Sequence, residues 1–430
     1  MEPKPVEAAD RIASIDILRG FALLGILVIN IYTFALPSVV IKNPPLAGGF
    51  TGFDFATWLV SHMIFYHKFM PIFSMLFGAG VLLLTSRLEE KGLEVRRIYY
   101  RRIFWLVIFG LLHAYLLWVG DILYPYAISG VFVYLFRRSS VRRLIIVGVI
   151  GICVSMVSNH MLGQLFGYMR SGAERAEIAL AEGRELSKDE KRFVESWESM
   201  RKNLMPTPED IESVNETYRD GYVGILKDRT PKLIMIQTVG TIFLLIWRLV
   251  GFMLIGMALL KSGILSAARS MRFYAWMALI CYGVGLTIVG IGAAKNIGHG
   301  FDVIYIYKYG GQYNIAGGTI VSLAHIAVMM MVCKAGVLSW FTRRLAAVGR
   351  MAFSNYISHT IICSTIFYGY GFGFFNRFGR FQLMGFVLAI WIIQIILSPL
   401  WLERFRFGPL EWLWRSLTYG KRQPFRSSTP

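Results

Sequence analysis

The feature that most constrains this chain is the recurrence of apolar runs about 20 residues long, separated by short loops rich in Lys and Arg. At about 1.5 Å of rise per residue, one such helix crosses the roughly 30 Å hydrocarbon core of a bilayer. With 55% of the 430 residues hydrophobic, no soluble core could hide the apolar surface, and lipid must solvate much of it. The expected fold is all-α: a polytopic integral membrane protein with about ten transmembrane helices.

The formal charge is +19. The basic residues cluster in the loops, as they do when Lys and Arg fix topology, so no nucleic-acid partner is expected. The basic face should attract anionic lipids. Loop charges alternate so as to place both termini in the cytoplasm, with the spans in the plasma membrane. The first run lacks a small-residue cleavage site and should remain as the first span.

Spans are expected over residues 17–36, 70–86, 103–119, 122–136 and 144–162, then 233–260, 273–294, 313–332, 351–370 and 381–402. The stretch before residue 70 should be a broken or re-entrant helix near 56–71, interrupted where His67 and Lys68 precede Pro71. This divides the chain into a membrane half (1–163), a charged extracytoplasmic helical insert (164–232), a second membrane half (233–404) and a cytoplasmic amphipathic tail (405–430). The tail tryptophans read as interfacial anchors.

Ionisable groups inside a bilayer are costly, so each one needs a reason. Arg19 stands one turn from Asp16 at the start of the first span. Arg248 falls near the middle of its span. Among the seven histidines, His62 lies beside the broken helix, and His113, His325 and His359 lie within spans, which makes them candidate bases or proton carriers. Asn355 lies one turn from His359. No metal site is expected, because no histidine pair has zinc-helix spacing. The four cysteines stand alone in apolar runs and read as small buried hydrophobes.

Four stretches together resemble the YeiB-like bacterial membrane proteins, whose C-terminal half carries a domain of unknown function. They are the run from Asp16-Ile17-Leu18-Arg19-Gly20 to Leu27, Phe73 to Gly80, Gly349-Arg350-Met351-Ala352 with Asn355-Tyr356, and Arg406 to Arg415. That family is similar to transmembrane acyltransferases, which carry an acyl group from a cytoplasmic thioester to an acceptor on the other side. Their first helix bears an arginine that holds the donor and, eleven positions on, a histidine that acts as base. Arg19 fits the arginine; Asn30 stands at the histidine position. Eleven residues make about three turns, which puts Arg19 and Asn30 on one face about 16 Å apart. Neutral Asn cannot accept a proton at pH 7.

The resemblance implies acyl-CoA as donor, an extracytoplasmic acceptor and Arg19 as a donor-binding residue; Asp16, paired with Arg19, and Lys68, a cation at the broken helix, join it as donor-binding candidates. The resemblance leaves Asn30 to position the reacting centre and a base to be found among His62, His113 and His359. Two other readings stay open. One is a small-solute transporter or flippase, for which Arg248 and the broken helix speak. The other is a non-catalytic membrane partner, for which the missing base speaks.

Overall fold

The computed structural model describes residues 12–426; most of the polar segment expected before the first span lies outside them. Every regular element among the described residues is helical. Eight stretches are long and apolar enough to cross a bilayer, and Leu123–Phe136 is a shorter apolar one. The chain is a polytopic membrane protein, and the expected ten spans correspond to these nine and Ala352–Phe367.

The N-terminal half comprises α1 (Ala13–Ala35), α2 (Gly52–Val60), α3 (Phe69–Glu90), α4 (Val95–Leu112), α5 (Leu123–Val133) and α6 (Val141–Ala181). The break before α3 falls at Tyr66 to Lys68, where His67 takes a left-handed φ of 61°. Pro71 does not kink a helix. It sits in the first turn of α3, where its missing N–H has no intrahelical partner to lose.

Helix α6 runs unbroken through residue 163 for 41 residues, about 60 Å, so it must project beyond the hydrocarbon core. Two helices follow with Ser and Thr capping boxes, α7 (Lys188–Leu204) and α8 (Pro208–Asp220). Then α9 (Tyr222–Met235) leads through a π-helical turn into α10 (Ile246–Lys261). The charged insert thus grows out of two spans instead of standing apart from them.

The insert docks on the bundle. Arg229 donates to the carbonyls of Leu117 (2.8 Å) and Tyr115 (2.6 Å), and Arg219 donates to Phe375 O (2.9 Å). The C-terminal carbonyls of the α4 segment, which have no helical partner, are satisfied this way.

The rest is α11 (Met271–Gly298), a three-residue α12 (Val303–Tyr305), α13 (Gly311–Ala335), α14 (Ser339–Arg350), α15 (Ala352–Phe367), α16 (Arg380–Arg404) and α17 (Pro409–Tyr419). Helix α14 occupies a stretch expected to be a basic loop, and it packs against α1. A Cβ on Gly20 would stand 2.0 Å from Leu345 O, and one on Gly349 would stand 1.9 Å from Asp16 O. Only glycine permits that approach.

The tail differs from expectation as well. Helix α17 does not lie free at the headgroups; it packs on α4 and α15, and Trp414 Nε1 donates to Arg102 O (3.0 Å). Of the cysteines only Cys363 is buried, whereas Cys153 faces outward. In lipid an outward face is as apolar as an inward one, so hydrophobicity does not report burial within the protein.

Candidate functional site

At the end of the bundle that carries the α1 N-terminus, α1, α3, α4, α14, α15 and α17 enclose a cavity of about 310 Å³. All four stretches that carry the family resemblance contribute to its wall: Asp16, Arg19 and Ile26; Phe73, Leu76, Phe77 and Gly80; Gly349, Arg350 and Tyr356; Arg406, Glu411 and Arg415. They lie far apart in sequence, and the fold brings them together here.

The cavity has two chemically distinct parts. Among the described residues its mouth holds Arg19, Arg87, Arg102, Arg350, Arg406 and Arg415 against two carboxylates, Asp16 and Glu411. Arg19 pairs with Asp16 at 2.7 Å. Arg102 lies 3.7 Å over the Trp414 ring, which leaves its donors at the ring edge. The Arg350 Nε is buried without a hydrogen-bond partner. Further in, the wall is apolar: Leu76, Phe77, Val81, Ile103, Leu106 and Leu123. A cationic mouth over an apolar throat suits an amphiphile with an anionic head.

Glu411 joins two elements of the mouth. Its carboxylate accepts from Phe353 N (2.6 Å), Ser354 N (3.1 Å) and Ser354 Oγ (2.5 Å), and so ties α17 to the start of α15. Burial pushes its carboxyl above the ordinary value, and the bonds from Ser354 and Phe353 pull it back. The folded chain therefore holds this proton more tightly than the unfolded chain does. Stability from this group is complete below the unfolded carboxylate range and falls as pH rises through that range to the raised folded value. Thermal unfolding followed between about pH 4 and pH 8 should show that slope, and Glu411→Gln should flatten it. An unchanged slope in the variant would remove Glu411 as its source.

Just past the inner end lies a buried relay. The π-helical turn His113–Leu117 closes the α4 segment and turns His113 inward. His113 Nδ1 lies 2.7 Å from Asp121 Oδ1, and His113 Nε2 lies 2.9 Å from Thr360 Oγ1. The carboxylate can only accept, so Nδ1 carries the proton and Nε2 accepts from the hydroxyl. The His113 and Asp121 side chains are 1% and 3% exposed. Asp121 also caps α5, accepting from Leu123 N (3.1 Å) and Tyr124 N (2.8 Å). The relay touches the cavity through its neighbours. Tyr356, a cavity wall, has its ring 5.2 Å from that of His113, and Ile122 and Leu123, also wall residues, follow Asp121.

Asn30 lies one turn beyond Ile26 on the α1 face that lines the cavity and one turn before Phe34. Phe34 stacks on Trp118 at 4.0 Å, and Trp118 lies 6.2 Å from the His113 ring. The Asn30 amide has no hydrogen-bond partner among the described residues, and Trp118 Nε1 is buried without an acceptor.

The other expected site residues lie elsewhere. Lys68 is not in the mouth with Arg19. It is fully buried and donates to His62 O (2.6 Å) and Asn314 Oδ1 (2.8 Å). His62 Nε2 in turn accepts from Asn314 Nδ2 (2.7 Å). The cavity wall begins at Phe73, so the segment from His67 to Pro71 does not line it. His359 Nε2 donates to Gln394 Oε1 (2.9 Å), and Gln394 Nε2 donates to Asn355 O (3.0 Å), a network that joins α15 to α16. The Asn355 amide itself donates to Val348 O and Ser398 Oγ. Both nitrogens of His325 are taken up, by the Tyr282 hydroxyl (2.7 Å) and Ile64 O (3.0 Å). Arg248 stands beside Tyr66 and His67. Among the described residues no cluster of three metal-ligating side chains occurs.

Sequence reasoning missed Asp121, read as part of a tight turn, and Thr360, although it follows His359 directly. It also missed Arg102, Arg406 and Arg415, which looked like topology-setting charges, and Arg350, which carried part of the resemblance but was given no role. An Asp at the turn between two apolar runs, eight residues after an intramembrane His, was the available signal.

Comparison with known proteins yields relatives along the whole chain. It is 31% identical over 434 residues to a protein of Escherichia coli (strain K12) described as uncharacterized protein YeiB, an alignment covering 98% of this chain and 99% of that one. It is 27% identical to uncharacterized protein YxaH of Bacillus subtilis (strain 168), over 99% and 98% of the two chains. The family described as protein of unknown function (DUF418) matches residues 259–421. No solved structure matches.

Proposed function

Because the chain belongs to the YeiB-like family of polytopic membrane proteins, we propose that it transfers an acyl group from a cytoplasmic thioester donor of the acyl-CoA class to an acceptor that enters from the other side of the membrane. The observation that carries this reading is the juxtaposition of an arginine-rich mouth, an apolar throat and a His113–Asp121 pair at the inner end. Arg19, Arg102, Arg350 and Arg415 offer charge-assisted donors to a polyphosphorylated head group. Arg19 and Asn30 stand roughly 16 Å apart along α1, so the head-group site and the reacting centre are set at different depths.

In this mechanism an acceptor hydroxyl attacks the thioester carbonyl carbon. Its proton passes to Thr360 Oγ1, whose own proton passes to His113 Nε2, and Asp121 stabilises the resulting imidazolium. The Asn30 amide and Trp118 Nε1 are unused donors that favour negative charge on the carbonyl oxygen. Collapse breaks the C–S bond, and the sulfur leaves as a thiol with the proton from His113. Position 30 then keeps a polarising role, and the base stands on α4.

The test uses the full-length protein in nanodiscs and in inverted membrane vesicles, which retain native acceptors. Long-chain acyl-CoA should bind, and thiol should be released in the vesicles. Arg350→Gln should weaken binding about tenfold, the value of one charge-assisted hydrogen bond. If acyl-CoA neither binds nor turns over, the proposal is wrong.

A further inference from the structure

A second cationic region lies toward the opposite end of the bundle, around the break before α3. It gathers Lys42, Tyr66, His67, Lys68 and Arg248, with Tyr307 beside them. Intramembrane cations normally pair with a carboxylate. Among the described residues Lys42, Lys68 and Arg248 form no ion pair. Lys68 meets a carbonyl and an amide oxygen and no carboxylate among the described residues. Lys42 lies 3.9 Å over the Tyr307 ring and donates to its hydroxyl.

Arg248 is the decisive group. Its Nε is buried without a partner, and the rest of its guanidinium makes no hydrogen bond among the described residues. It rides on the inward side of α10, between contacts to α6 and α3: Trp247 O lies against Gly151, and Met253 O lies against Gly78. Beside it His67 holds a left-handed backbone, strain of about 1 kcal/mol or more in a non-glycine residue, of the kind that accumulates at ligand sites. An idle guanidinium, a half-buried lysine and a fully buried lysine with no acid between them form an incomplete electrostatic unit.

We propose that this region is a binding site for an oxyanion, a phosphate or carboxylate group of a molecule that enters from the α1 C-terminal end, with Arg248 as its principal ligand and His67, Tyr66 and Lys42 around it. Lys68 supplies positive potential from behind. The site is independent of the cavity mouth and stands whether or not acyl transfer takes place. If transfer does take place, the site is where an anionic acceptor is recognised.

The test measures binding of inorganic phosphate, of succinate and of short-chain phosphatidic acid to full-length protein in phosphatidylcholine nanodiscs. Wild type should show one class of anion site that survives Arg350→Gln and is weakened at least tenfold by Arg248→Gln, with Arg248→Lys in between. Acyl-CoA binding at the mouth should be unchanged in Arg248→Gln, which also reports that the variant is folded. On the wild type, phosphate should slow acetylation of Lys42 by a soluble N-hydroxysuccinimide ester, read by mass spectrometry; this arm needs no variant. A preference for phosphatidic acid over both free anions identifies a lipid headgroup, and the reverse identifies a soluble acceptor. Equal binding by wild type and Arg248→Gln, loss of all anion binding in Arg350→Gln, or no protection of Lys42 would each overturn the proposal.

Discussion

His113→Gln should lower acyl turnover by about 10²- to 10⁴-fold, the usual worth of a positioned general base, while acyl-CoA affinity stays within about twofold. The separation follows from the geometry. In the proposed mechanism the donor head sits among the arginines of the mouth, whereas His113 stands past the inner end of the throat, bonded to Asp121 and Thr360. Asp121→Asn should also lose most turnover. Asparagine has one oxygen for the two positions: with that oxygen on Tyr124 N, its amide NH2 faces both His113 Nδ1 and Leu123 N with donors, favours the wrong tautomer and gives up one of the two bonds to the start of α5. Thr360→Val tests the relay by removing the hydroxyl at nearly constant volume. Single-turnover thiol release, read beside equilibrium acyl-CoA binding, distinguishes these outcomes. Normal turnover in His113→Gln would return the search to His62 and His359. Their Nε2 atoms are held by an amide donor and an amide acceptor, so neither has a carboxylate to stabilise its protonated form.

Gly349→Val should be the most destabilising single change near the site, costing about 3 kcal/mol, at the upper end of what overpacking usually produces. Its new Cβ would fall 1.9 Å from Asp16 O and 2.7 Å from Gly20 N, and backbone atoms cannot swing aside. Helix α14 must then lift from α1. That movement separates Arg350 from Asp16 and Arg19, so donor binding should fall together with stability. Gly385→Ala is the matched control. A Cβ there meets nothing within 4 Å, and replacing a glycine inside a helix should stabilise by up to about 1 kcal/mol. Thermal unfolding in detergent compares the two variants directly. A Gly349→Val protein that unfolds like wild type would show that the α1–α14 approach is looser than these distances require.

Much of the fold was legible because lipid imposes a length and a composition on every span. That a helix breaks before α3 was legible too, but its place only roughly: Pro71 pointed to the break, yet it sits in the first turn of α3 and the chain departs from helix at Tyr66 to Lys68. Helix α14 was not legible, because its charges matched those of a topology-setting loop. The site was legible only in fragments. Asp16 and Arg19 stood out because both lie on one turn at the edge of an apolar run. Arg102 did not, because Arg101 beside it has the same chemistry, and nothing local says which of the two reaches Trp414. Lys68 was assigned to the donor on charge alone, yet it lies among His62 and Asn314, away from the mouth.

The sequence by itself determined that this chain lives in a bilayer, that it crosses it many times, and which four stretches set it beside its relatives. Those properties depend on hydropathy and local order, which can be read along the chain. The tertiary structure decided that the four stretches share one cavity, that His113 among the histidines has both a carboxylate and a hydroxyl, and that Arg248 has no hydrogen-bond partner among the described residues. A hydrogen bond between residues 113 and 360, or an arginine left idle between helices, depends on where helices cross. Apolar periodicity cannot specify that crossing in a solvent as apolar as the protein's own interior.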